Sequence, residues 1–114
     1  MKTFENMAAQ GDVLLIRIKE LPATAAQAAA EGGEYIVGHS ETGHSHVVAE
    51  RPGVEFFTDT SDPLTAYLRI LSIDVALEHK RSFDTHETIS IKPGTYKIRR
   101  QREHTAEGWR RAQD

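Results

Sequence analysis

Residues 38–48 read GHSETGHSHVV, and three of the chain's six histidines fall within eight positions of that stretch. A neutral imidazole offers a nitrogen lone pair, and several imidazoles converging from one face can hold a divalent ion. If EYIVGHS and HSHVVAE form a hairpin around Ser40-Glu41-Thr42-Gly43, His39 stands opposite His44 and Val37 opposite His46. Directly opposed side chains share a face, with Cβ atoms about 4.5–5.5 Å apart. Alternation along the strand adds Val48 and Glu50 to that face. The spacing therefore predicts a divalent-metal site at His44 and His46, assisted by His39 or Glu50. Gly43 suits a loop end that needs positive φ, and Gly38 leaves space beside the cluster. One hairpin does not enclose an ion, so a further ligand has to come from elsewhere. His79, ending IDVALEH, and His86, opening HETISIK, are the candidates, with Asp84 between them a weaker one. His104, in a polar tail, is expected to be a bystander. The competing reading takes the cluster as exposed hairpin histidines with no ligand role.

The chain has no cysteine, so disulfides, thiolate zinc sites and cysteine nucleophiles are excluded and any metal falls to imidazole, carboxylate or water. Ser40, Thr42 and Ser45 lie near histidines but not in a strand-turn-helix nucleophile elbow. No glycine-rich phosphate loop occurs. Glu41 suits a general base acting on metal-bound water, and suits a hydrophilic loop tip equally well. A second charged feature is KIRRQR, where Lys97, Arg99, Arg100 and Arg102 follow Lys92. Arg99, Arg100 and Arg102 are candidate anion contacts. Alternation splits them, with Tyr96, Ile98, Arg100 and Arg102 on one face and Lys97 and Arg99 on the other. The reading preferred for this strip is a solvated edge strand whose charges discourage edge-to-edge pairing.

The elements around these residues are short. After DVLLIRIKEL, runs rich in β-branched and aromatic residues recur as EYIVGH, HSHVVAE, VEFFT, LTAYLRIL, IDVALEHK, ETISIK and TYKIRRQRE. RPG, TSDP and KPG supply turns between them. The alanine-rich segment at 23–33 predicts one short helix or a loop, stopped by Gly32-Gly33. About eight strands predict an all-β fold, a small barrel or sandwich, with residues 1–10 and 104–114 as peripheral tails of a single domain spanning 1–114. Tyr35, Phe56, Phe57 and Tyr67 are expected in the core. At 114 residues, 39% hydrophobic, 27% charged and with a net charge of −3, the chain reads as one globular domain with no field favouring nucleic acid or an anionic membrane. No apolar run or signal region predicts a membrane span or export, so the expected location is the cytoplasm.

GHSETGHSHVVAE resembles the first cupin motif through Gly38, His44, His46 and Glu50. That resemblance implies a double-stranded β-barrel binding iron, manganese, zinc or nickel through the two histidines and the glutamate. It departs downstream: Phe57 stands at the motif's later glycine, and Lys97 follows KPG where a second motif places histidine. The fourth ligand would then be His79 or His86. The chain from QGDVLL to EGWRR also resembles a set of short bacterial and prophage proteins, which brings no activity with it. Two functions follow as expectations. One is a histidine-rich metal-binding cupin-like domain acting on or binding a small molecule. The other is a non-enzymatic module for a protein or nucleic-acid partner, with a structural or incidental histidine cluster. A homodimer is compatible with either.

Overall fold

The computed structural model describes residues 1–39, 45–79 and 87–100. Those residues form ten strands and no helix: β1 Met7–Gln10, β2 Val13–Ile18, β3 Ala25–Ala28, β4 Glu34–Gly38, β5 His46–Ala49, β6 Val54–Asp59, β7 Thr65–Ile70, β8 Val75–His79, β9 Ile89–Ile91 and β10 Gly94–Arg100. One sheet has the order β1-β2-β10-β7-β6-β3 and the other the order β4-β5-β8-β9. Neighbouring strands are antiparallel throughout. The expected all-β class is observed. The two sheets do not join into a closed barrel, and the arrangement is sandwich-like.

Side-chain alternation explains how the sheets meet. β10 turns Tyr96 and Ile98 inward, and β2 turns Val13 and Leu15 inward. From the smaller sheet, Val37, Val48, Leu77, Ile89 and Ile91 join the same cluster. Full burial of each such aliphatic side chain contributes about 1.5–3 kcal/mol before entropy is counted. Tyr35, Phe56, Phe57 and Tyr67 are buried as expected.

Three local expectations are corrected. Ala25–Ala28 is a strand paired with β6, not a helix. Helix propensity differs by only fractions of a kcal/mol per residue, so edge pairing overrides it. Gly32 and Gly33 instead make the two-residue turn of a tight hairpin, both with positive φ, while Glu31 and Glu34 exchange backbone hydrogen bonds across it. The first ten residues are not peripheral. Lys2 bonds both Thr88 and Ser90 beside β9, Phe4 packs edge-on to Tyr96 at 5.7 Å, and β1 then joins the larger sheet. The N-terminal segment thus ties the two sheets together along one side. Finally, β10 lies between β2 and β7, so the basic strip belongs to an interior strand, not an edge.

Candidate functional site

The candidate site is a polar layer where the apolar core ends. β4 and β5 pair in the register expected from sequence as far as Ile36 opposite Val47, and an irregularity then puts Gly38, not Val37, opposite His46. Gly38 is required there, because a Cβ would stand 2.6 Å from Val13 Cγ2 of the opposing sheet. On the other side of β5, His46 pairs directly with His79 of β8. Both histidines are buried, at 3% and 7% exposure. Their rings stack with centroids 4.2 Å apart and planes 5° from parallel.

Gln10 completes the layer, and sequence reasoning missed it. Its side chain reaches from β1 to the smaller sheet, where Nε2 donates to Leu77 O at 2.9 Å and to Glu87 O at 3.0 Å. Two carbonyl acceptors define which end of the amide is the nitrogen. Oε1 is therefore the atom 2.8 Å from His46 Nδ1, and it can only accept. Neutral His46 consequently carries its proton on Nδ1 and its lone pair on Nε2. Orientation of an imidazole through its second nitrogen is the arrangement commonly found behind metal-bound histidines. The signal for Gln10 in the sequence was only the weak alternation of Ala8 and Gln10 in a four-residue strand.

The other expected positions divide clearly. His39 is exposed beside Gly38. Glu50 is exposed, and its amide extends the ladder to Gly33 O. Four residues of strand put it about 13 Å from His46, so the described structure does not bring it to the imidazole pair. His44, His86, Arg102, Glu41, Gly43, Asp84 and His104 lie outside the described residues. Among the described residues, no group of three or more His, Asp or Glu is arranged to hold a metal. Arg99 donates to Asp62 Oδ2 at 2.6 Å and Thr65 Oγ1 at 2.7 Å, while Arg100 donates to the carbonyls of Val37 and Pro63. No helix among the described residues is long and apolar enough to cross a membrane.

A histidine pair remains, and it fits a metal in part. Two imidazole nitrogens on one zinc ion at 2.0–2.1 Å stand about 3.3 Å apart. In the stacked pair, with centroids 4.2 Å apart and planes 5° from parallel, each lone pair lies in the plane of its own ring, so sharing one ion requires one imidazole to turn out of the stack.

Fold and layer together define an antiparallel β-sandwich with a buried imidazole–amide layer at one end. The chain belongs to the family described as a domain of unknown function, DUF8820, which matches residues 9–101. The matched span includes Gln10, His46, His79 and Arg100. No curated protein and no solved structure matches the chain.

Proposed function

We propose that this domain binds one divalent metal ion at the imidazole end of the sandwich, with His46 and His79 as ligands. The observation that carries the reading is the Gln10 bridge, which aims the lone pair of a buried histidine through Nε2 while a second buried imidazole lies against it. His44, two residues before His46, and His86, in the segment after β8, are the positions proposed to complete the shell. A shell dominated by imidazole suits zinc or nickel, and iron, better than manganese, which favours oxygen ligands. When bound, the ion would supply a Lewis acid at the end of the core. Gln10 would hold the His46 ring and its tautomer in place. The same Gln10 bridge supports a second reading, in which the layer is a structural tie between the sheets and the domain is a binding module.

Calorimetric titration of tag-free protein with zinc, nickel and manganese at pH 8 decides between them. About one ion per chain is expected, with His46→Ala and His79→Ala each abolishing binding and Glu50→Ala leaving it unchanged. Since ligating imidazoles must be neutral, affinity should fall as pH drops through the ordinary histidine range near 6.5. Absence of binding at pH 8 would overturn the metal reading in favour of the structural tie.

A further inference from the structure

β10 turns Tyr96 and Ile98 fully into the core, and Arg100 follows two residues later on that same face. A guanidinium thus stands where an apolar side chain would otherwise end the core. Its Nε donates to Val37 O at 2.9 Å, and Nη1 reaches Pro63 O at 3.4 Å. Val37 precedes Gly38, the strand partner of His46. Val13, the register partner of Arg100 on β2, is the side chain packed against Gly38. Arg100 therefore belongs to the same end of the sandwich as the imidazole pair.

Three cations of the sandwich have carboxylate partners, Arg99 with Asp62, Arg69 with Glu55 and Lys92 with Glu5, while Arg17 donates to the Glu5 and Pro93 carbonyls and the Tyr96 hydroxyl. The described acceptors of Arg100 are carbonyls alone. Its partial burial lowers the guanidinium pKa below that of an exposed arginine. A guanidinium has five N–H donors in a planar fork, and two carbonyl contacts leave part of that fork for an anion.

We propose that Arg100 receives the oxyanion of a small ligand, a carboxylate or a phosphate, at the end of the sandwich that holds His46 and His79. An inward-facing, half-buried guanidinium suits a small anion better than a nucleic-acid backbone, because Arg99 beside it faces away and is already paired with Asp62. As the ligand class of the imidazole end, the proposal rests on the metal reading; the anion contact itself needs no metal.

The test uses the full chain, 15N-labelled and freed of metal with a chelator. Sodium acetate and sodium phosphate are titrated separately at constant ionic strength, and the arginine Nε–Hε signals are followed. A saturable shift of the Arg100 signal with either probe, without a matching shift of Arg99, is expected; the probe that saturates identifies the source. Arg100→Lys keeps the charge but loses the fork, and should weaken the anion by about fivefold or more. A non-saturating response, equal shifts at Arg99 and Arg100, or unchanged affinity in a folded Arg100→Lys would overturn the proposal. So would a response of Arg100 to a short oligonucleotide but to neither small anion. Zinc titration of the wild type separates the two readings: no zinc binding beside a saturable anion response sinks the metal alone, and zinc binding without an anion response sinks the anion site alone.

Discussion

At the scale of single residues, Gln10 organises the site although nothing marks it as chemically special. It supplies the acceptor for His46 Nδ1 and satisfies the carbonyls of Leu77 and Glu87. Gln10→Leu preserves bulk but leaves a buried N–H and two carbonyls without that partner. A buried donor or acceptor left without a partner costs about 1–3 kcal/mol, so the urea midpoint should fall by an amount in that range. If His46 also binds metal through Nε2, the same substitution should weaken zinc by about 10–100-fold, as loss of an orienting partner does. An unchanged midpoint would show that the bridge is not formed in solution. An unchanged zinc affinity beside a lowered midpoint would assign Gln10 to stability alone.

At the scale of elements, the irregular end of the β4–β5 hairpin and the β6–β7 turn each carry a prediction. Gly38→Ala drives a Cβ into Val13 Cγ2 at 2.6 Å, and overpacking of this kind costs about 1–3 kcal/mol. Combined with Val13→Ala, the loss should be smaller than the sum of the two single losses, a coupling that a double-mutant cycle in urea measures. Additive losses would mean that the two strands are not in contact. In the β6–β7 turn, Asp59 accepts hydrogen bonds from the Ser61 hydroxyl, the Tyr67 hydroxyl, the Ser61 amide and the Thr24 hydroxyl. These bonds, the Ser61 hydroxyl foremost, hold its carboxyl well below the usual carboxylate range. Asp62 is lowered too, chiefly by the Leu64 amide and the Thr65 hydroxyl. A folded pKa below the unfolded one means stabilisation that is present in full above the unfolded value near 4 and is lost as pH falls through that value toward the folded one. Tm should therefore decline as pH is lowered from about 5 to 2, and Asp59→Asn should flatten that decline while lowering Tm at neutral pH. A Tm profile of equal slope in Asp59→Asn would refute the assignment.

For the whole molecule, strand order decides what the basic strip can do. β10 is interior, Arg99 is held by Asp62 and Arg100 faces the core side, so these arginines do not form one cationic surface. Non-specific nucleic-acid binding needs several phosphates neutralised along one face. We expect no gel shift of duplex DNA or single-stranded RNA by low-micromolar protein at about 150 mM salt. A shift abolished by Arg100→Ala together with Arg102→Ala would contradict this and move the binding-module reading ahead of the metal one.

The all-β class and eight of the ten strands were legible in the chain itself, because alternation, β-branched content and turn residues are local properties. So were the β4–β5 register up to Ile36 and the shared face of Tyr96, Ile98 and Arg100. Local signals failed at β1 and β3, four-residue strands with two and three alanines respectively and no β-branched or aromatic residue, whose existence depends on the sheets they join. They failed again at Gly38, where the register changes and Val13 of the other sheet leaves no room for a Cβ. The meeting of His46 with His79 required β5 and β8 to pair across the intervening β6–β7 hairpin, which belongs to the other sheet. Nothing in the spacing of the histidines encodes that choice. Side-chain direction along a strand is set by the backbone's own two-residue period, whereas strand order and sheet stacking follow from burial of apolar surface shared by segments far apart in the chain. Those non-local terms alone placed Gln10, His46, His79 and Arg100 at one end of the sandwich.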